Sequence, residues 1–444
     1  MWADLECQKL NADKTRAYLE RSKSSPINLQ LHEEGDLSPH NPFPQIVSHA
    51  AGRLKSLIVN GTPRNLPAIA THLSQPAPLL EFLSIGGNHE FEPQRNPVLA
   101  TALFNGDLSS LRGLCLQSVR TELPWRNMVN LTSFELGRTK PDHVTIRELL
   151  GFFESTPHLS RVKLFYATPT SGAQNGRLVS LAYLKRMSIF GEGPSSLLLD
   201  HLIIPVGARL KTEADSDGPL TMNLPKSLDN LRNISSFTKI HLYFDPCYPR
   251  IRFSGPNGKV CIFVPPERHP TRLVFEFLAR FDTLKTERLE IDHGNSLSSD
   301  SPYRALLPMK RLRTLTLSQC RSPDVFIHTL DPNISSSGVV VCPELEELVL
   351  ELRPDTETLD FKNVADMAAA RASRGAKLKS VRIMDPDLEA PFSLPDLVRN
   401  PAYVNQGKSM QIDASGIRKH VLHVEYGPWT NAADEDSDSS EEED

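Results

Sequence analysis

An aliphatic triplet, Leu-x-x-Leu-x-Leu with conservative exchange, returns eleven times along the chain and leaves few folds open to it. The copies are Leu54-Leu57-Val59, Leu80-Leu83-Ile85, Leu111-Leu114-Leu116, Leu131-Phe134-Leu136, Leu159-Val162-Leu164, Leu184-Met187-Ile189, Phe237-Ile240-Leu242, Thr286-Leu289-Ile291, Leu312-Leu315-Leu317, Leu345-Leu348-Leu350 and Leu378-Val381-Ile383. The last two residues of each copy sit two apart, so both point to one face of a short strand, while the first packs at the turn leading into it. Between copies, several segments carry apolar residues at helical spacing: Ile69, His72 and Leu73; Val98, Leu99, Leu103 and Phe104; Ile146, Leu149, Leu150 and Phe153; Leu273, Phe275, Leu278 and Phe281. Pro78, Pro157 and Pro343 each stand two residues before a first Leu, where they stop an approaching helix.

One unit is therefore helix, turn and strand. Stacked units give an α/β leucine-rich-repeat-like solenoid, a horseshoe with a parallel sheet on the concave face and helices on the convex face. Most neighbouring copies start 20 to 33 residues apart, straddling the usual repeat length of roughly 20–29. Asn88 and Cys320 fall where that repeat wants Asn or Cys, with Thr62, Thr139 and Asp245 as partial substitutes.

The rhythm breaks between Ile189 and Phe237, where Leu197-Leu198-Leu199 to Leu202 reads as helix and 208–212 as the strand of a degenerate repeat. Ile251-Arg252-Phe253 and Val260-Cys261-Ile262-Phe263-Val264 flank Asn257-Gly258, which predicts a hairpin insertion near 250–265. A second hairpin is expected from Met410-Gln411-Ile412 to 421–424. The organisation read from the sequence is 1–31 as an N-terminal remnant, 32–385 as the irregular solenoid, 386–430 as a C-terminal cap and 431–444 as a disordered acidic tail.

The formal charge of −5 is set by that tail, which holds eight acids and no base. Without it the chain has 49 basic and 46 acidic side chains, a balance of +3 that offers no broad electrostatic case for nucleic acid. No apolar stretch approaches membrane-spanning length, and the first residues lack the pattern of a secretory leader, so no membrane partner and a cytoplasmic or nuclear location are expected. The six cysteines, at 7, 115, 247, 261, 320 and 342, form no CxxC pair and read as small apolar residues. The sequons at Asn60, Asn130, Asn233 and Asn333 are then accidental. Ser437, Ser439 and Ser440 sit among acids that suit acid-directed kinases, against the simpler reading of an inert solubilising tail.

No enzyme constellation is found, and neither a metal nor a cofactor is expected. The run 255–259 lacks the GxxxxGK[ST] spacing of a phosphate loop, and no GxSxG, HExxH or GxGxxG occurs. His89-Glu90 and Asp292-His293 are isolated pairs without a third orienting group. Strand alternation instead places Lys163, Phe165, Arg186, Phe190, Lys239, His241 and Tyr243 on the concave surface. Aromatics beside bases mark protein interfaces, so this stripe is expected to grip an acidic or mixed protein segment; the plainer reading is a solvated sheet face.

Several segments resemble F-box proteins with leucine-rich repeats from mushroom-forming fungi. They are 12–22 (Ala12 to Ser22), 26–31 (Pro26 to Leu31), Leu198-Leu199-Asp200-His201-Leu202 with Pro205, and Met367 to Gly375 leading into 378–383. The resemblance covers most of residues 1–385. It implies the target-recognition part of a ubiquitin-ligase substrate receptor, with a free-standing repeat scaffold as the alternative. In that family an F-box of about 45 residues, opening Leu-Pro-x-Glu, precedes a Leu-Trp pair whose place Met1-Trp2 takes. The F-box is absent from this sequence, so a Skp-type adaptor is a partner only if one lies upstream; the protein target itself is not named by any residue.

Overall fold

The computed structural model describes residues 4–6, 12–32, 43–62, 65–87, 98–99, 103–121, 127–138, 144–167, 176–191, 195–213, 237–244, 249–256, 258–263, 285–292, 300–334, 338–352, 359–385 and 423–428, together with 225, 231, 278, 417, 420 and 421. They fall into two compact units, Met1–Ser236 with Pro256–Val264, and Phe237–Gly255 with Pro265–Asp444.

The strands, in chain order, are β1 Asp4–Glu6, β2 Ile27–His32, β3 Leu54–Gly61, β4 Phe82–Gly87, β5 Gly113–Gln117, β6 Ser133–Gly137, β7 Arg161–Phe165, β8 Arg186–Phe190 and β9 Arg209–Glu213. Then follow β10 Lys239–Tyr243, β11 Arg250–Gly255, β12 Gly258–Phe263, β13 Arg288–Asp292, β14 Thr314–Ser318, β15 Glu347–Glu351, β16 Ser380–Asp385 and β17 His423–Pro428. In the first unit β1 to β9 pair in chain order, every pair parallel, and β12 adds to β9. In the second, β10 pairs antiparallel with β11 and parallel with β13, and β13 to β17 continue in parallel order. The expected α/β class with a mainly parallel sheet is found.

Register follows the triplets. Leu57, Leu83, Leu114, Phe134, Val162 and Met187 are successive ladder partners, as are Ile240, Leu289, Leu315, Leu348 and Val381. All are buried, as are the first residues of the copies, Thr286 among them. A one-residue slip would turn every apolar side chain to water, which is why the pattern specifies register so firmly.

Rungs such as β5, β7 and β14 are held at both ends by backbone bonds to their neighbours. At the leading end the Arg112 N–H donates to Glu81 O at 2.7 Å, Thr132 to Arg112 at 2.8 Å and Ser160 to Thr132 at 2.8 Å. At the trailing end the residue after the strand turns left-handed, as at Ser118 (φ 55°), Tyr166 (φ 50°) and Gln319 (φ 51°). Its N–H then donates to the end of the next strand: Ser118 to Gly137 O at 2.8 Å, Tyr166 to Phe190 O at 2.7 Å and Gln319 to Glu351 O at 2.8 Å. Cys320, one residue on, turns its thiol to Ile291 O at 3.6 Å.

Helices return the chain in some repeats: α1 Ala12–Ser22, α2 Phe43–Ala50, α3 Leu66–Thr71, α4 Ile146–Ser155 and α5 Ser196–Leu199 in the first unit, and α6 Asp300–Leu306, α7 Asp324–Leu330 and α8 Phe361–Ser373 in the second. The best specified is α4. Thr145 caps it, its hydroxyl accepting from the Glu148 N–H at 3.2 Å while the Glu148 carboxylate accepts from the Thr145 N–H at 2.8 Å. Its Phe152 meets Phe134 of β6 with ring centroids 4.5 Å apart, joining helix and sheet in one core.

The helical spacing at 98–104 misleads. Val98–Leu99 pairs as a short strand with Arg120–Thr121, and Leu103–Gly106 is a tight turn in which Phe104 (φ 51°) and Asn105 (φ 58°) are left-handed. Here burial of Leu103 and Phe104 alone met the pattern, and no full helical turn was needed. The 208–212 segment does form a strand, β9, with Ala208, Leu210 and Thr212 buried. The two runs read as a hairpin insertion occupy places in the ladders, β11 beside β10 and β12 beside β9. Residues 273–277, 410–412 and the tail 431–444 lie outside the described residues, as do Asn88, His89-Glu90 and His293.

Candidate functional surface

The outward positions of the strands form the candidate surface. In the first unit, β7 turns Arg161, Lys163 and Phe165 away from the core, and β8 turns out Arg186, Ser188 and Phe190; Val162, Leu164, Met187 and Ile189 between them are buried. Four of the seven residues singled out in the sequence thus share one face. Phe165 and Phe190 are ladder partners and lie edge to face, with centroids 6.2 Å apart. Tyr166 packs on Phe165 at 4.6 Å, and the Arg138 guanidinium lies 5.9 Å above the same ring. Lys163 reaches Glu135 at 3.4 Å, a half-exposed pair that contributes little stability.

Lys239, His241 and Tyr243 lie in the second unit, on the outward side of β10. All three are engaged there. Lys239 pairs with Glu290 at 2.9 Å, and His241 Nε2 lies 2.6 Å from the Asp292 carboxylate. The Arg250 guanidinium covers the Tyr243 ring at 4.6 Å. Neighbouring strands repeat this balance: Arg382 bonds Glu347, and the Ser318 hydroxyl donates to Glu351 at 2.5 Å. The seven residues of the expected stripe therefore divide between the two units, four in a basic and aromatic setting and three in a charge-paired one.

Sequence reasoning missed part of the first surface. Arg209, Lys211 and Glu213 face outward from β9, and Lys259, Cys261 and Phe263 from β12. Phe263 contacts Phe190 at 6.0 Å. The signal is present in the same alternation, but nothing in a degenerate repeat at 208–212 or an insertion near 250–265 says that these strands follow β8 in the ladder. Burial pushes the Glu213 carboxyl above the usual carboxylate range, and the Gly191 backbone N–H bonded to it opposes that shift.

A groove of about 800 Å³ in the first unit crosses the turns at the leading ends of the strands. Leu79, Arg112, His158, Tyr183 and Lys185 line it. The His158 and Tyr183 rings lie 5.5 Å apart, and Tyr183 is 60% exposed.

Among the described residues no group of three or more His, Cys, Asp or Glu side chains is placed to hold a metal ion, and no helix is long and apolar enough to cross a membrane. Cys115 and Cys261 are half-buried, and Cys320 and Cys342 buried, all as free thiols. Burial, helped by the nearby Glu135 carboxylate, pushes the Cys115 thiol up to about 11. No protein-family profile and no curated protein matches the chain.

Proposed function

We propose that the chain is a protein-recognition module of the leucine-rich-repeat type, its parallel ladders being stretches of a solenoid whose sheet face receives another protein. The observation that carries this reading is the outward face of β7 and β8, where Phe165 and Phe190 form an aromatic pair on the same face as Arg161, Lys163 and Arg186. Aromatic and arginine side chains concentrate the binding energy of protein interfaces. A parallel ladder whose rungs differ in outward residues is suited to reading an extended partner.

The resemblance of 12–31, 198–205 and 367–383 extends the proposal to target recognition for a cullin-type ubiquitin ligase. Residues 12–32 support that extension, since helix α1 precedes strand β2 as the family pattern has it. An in-frame Leu-Pro-x-Glu segment upstream in the gene would favour it, and a gene without one would favour the free-standing scaffold.

The test is crosslinked affinity purification from the native cell, comparing wild type with the combined variant Phe165→Ala and Phe190→Ala. A specific partner lost by a variant with an unchanged circular-dichroism melt supports recognition by this face. Undiminished capture overturns it.

A further inference from the structure

We infer that the groove across the leading ends of β4 to β8 receives an extended peptide segment of a partner protein, held by an apolar side chain at each end with a carboxylate beside it; this surface is separate from the sheet face and goes beyond that reading. Two rows of residues build the groove. The inner row is the residue just before each strand: Glu81, Arg112, Thr132, Ser160 and Lys185, each tied to the one before by a backbone bond of 2.7 or 2.8 Å. The outer row lies two residues earlier in each turn: Leu79, Ser110, Asn130, His158 and Tyr183. Leu79 stands at one end and the paired His158 and Tyr183 rings at the other, with small polar side chains between them, so the row is a trough.

The floor has one hydrogen-bonding polarity. The Ser110 hydroxyl donates to Pro78 O at 2.7 Å, Thr132 to Arg112 O at 3.0 Å and Ser160 to Thr132 O at 3.0 Å. A hydroxyl carries a single proton, so all three are left able only to accept. Asn130 is held in place by donating from its side-chain amide to Ser109 O at 2.7 Å. The backbone N–H groups of Arg112, Thr132, Ser160 and Lys185 are spent on the ladder. A ligand for this floor must therefore bring donors. An extended peptide brings an N–H with almost every residue, whereas a phosphodiester backbone brings acceptors alone.

Both ends of the trough are apolar and open to water, Leu79 being 47% exposed and Tyr183 60%. Four strand steps separate them. At about 4.8 Å per step that is about 19 Å, or about six residues of extended chain at roughly 3.3 Å each. Side chains six residues apart project to the same side of an extended peptide, so both anchors can reach the outer row at once. Charge fits the same ligand. Among the described residues lining the groove the one carboxylate, Glu81, faces Lys55 at 3.7 Å. The other two cations are Arg112, one strand step from Leu79, and Lys185, in the turn that carries Tyr183. A carboxylate next to each anchor complements them. A neutral glycan could stack on Tyr183 but would make no use of Leu79 or of either cation.

The experiment is fluorescence anisotropy with the full chain and the fluorescein-labelled peptide Leu-Glu-Gly-Ser-Gly-Glu-Phe. Saturable binding is expected, weakened at least about fivefold by Tyr183→Ser and by Leu79→Ser, exposed positions whose loss spares the core. Arg112→Gln with Lys185→Gln should weaken it at least about fivefold and flatten its salt dependence. Lys310→Gln with Arg311→Gln removes the same charge from the second unit and should leave binding within about twofold. Glycolic acid in place of both glycines turns two N–H donors into ester oxygens and should weaken binding at least about threefold. Phe165→Ala with Phe190→Ala should bind the peptide as wild type does; an equal loss there would move the peptide to the sheet face and overturn the groove. No saturable binding, undiminished binding by the Tyr183 and Leu79 variants, an ester peptide that binds as well as the parent, or displacement by chitohexaose or a single-stranded oligonucleotide at a lower concentration than by unlabelled peptide would each overturn the proposal too. Peptide bound through Tyr183 and Leu79 by a chain whose partner capture ignores Phe165 and Phe190 would support the groove while sinking the sheet-face reading.

Discussion

Arg371 of α8 donates from Nη2 to the carbonyl oxygen of Cys342 at 2.7 Å, and from Nη1 to Val341 O at the same distance. Its side chain is fully buried, and burial pushes the guanidinium pKa down. The arginine thus supplies charged donors to the turn that precedes the Leu345 rung, adding to the bond that the Cys342 carbonyl already accepts from the Leu345 N–H at 3.0 Å. Arg371→Met is expected to lower stability by about 2–3 kcal/mol in urea unfolding, the order found when buried charged hydrogen bonds are lost. Arg371→Lys should recover less than half of that, since an ammonium cannot reproduce the fork. Full recovery by lysine would mean that charge alone matters.

Gly191 follows β8 with φ +114°, and a Cβ there would lie 2.7 Å from the Tyr166 Cα. Gly191→Ala therefore meets both an unfavourable backbone region and a backbone neighbour, and is expected to cost about 2–4 kcal/mol in thermal or urea unfolding. Gly52, with open space around its Cβ position, is the control, and Gly52→Ala should change stability by less than about 1 kcal/mol.

Thr145→Ala removes one half of the α4 capping box and should cost about 1 kcal/mol. Thr145→Ser should be nearly silent, because its hydroxyl can accept from the Glu148 N–H in the same way. Equal losses in the two variants would show that the threonine methyl, not the cap, is what counts.

The thiols give a pH-dependent readout. Burial pushes Cys342 up to about 12, so the folded state disfavours its thiolate relative to the unfolded chain. The stability this represents is fully present below about pH 9 and is lost as pH rises from there toward the folded value. Between pH 9 and 10.5 the unfolding midpoint of wild type should fall more steeply than that of Cys342→Ala. Parallel declines would show that other groups dominate. At pH 8 Cys115, pushed up to about 11, should alkylate about a hundredfold more slowly than an unperturbed thiol.

How much of this was legible in the sequence depended on which force fixed each element. The rungs were legible because burial of alternate side chains is a strong, local and periodic demand, met alike at Leu57, Leu289 and Leu348. The return segments were harder to read, since any path that buries a residue such as Phe104 satisfies the same pattern, whether helix, strand or tight turn. Phe165 and Phe190 were found by alternation, but their neighbours Arg209, Lys259 and Phe263 were not, because nothing local says that β9 and β12 lie side by side. Nor does sequence spacing reveal Arg371 bonding the carbonyls of Val341 and Cys342.

The backbone bonds at both ends of rungs such as β5 and β7 also govern how such a chain can change over generations. Since Ser118 and Tyr166 fix their strands against the immediate neighbour, a residue gained or lost in a return loop alters only that loop's closure entropy, by a fraction of a kcal/mol. Outward letters can then be exchanged one at a time without disturbing the alignment of the rest. Descendants of one ancestral ladder are free to present different outer faces while sharing a nearly unchanged interior.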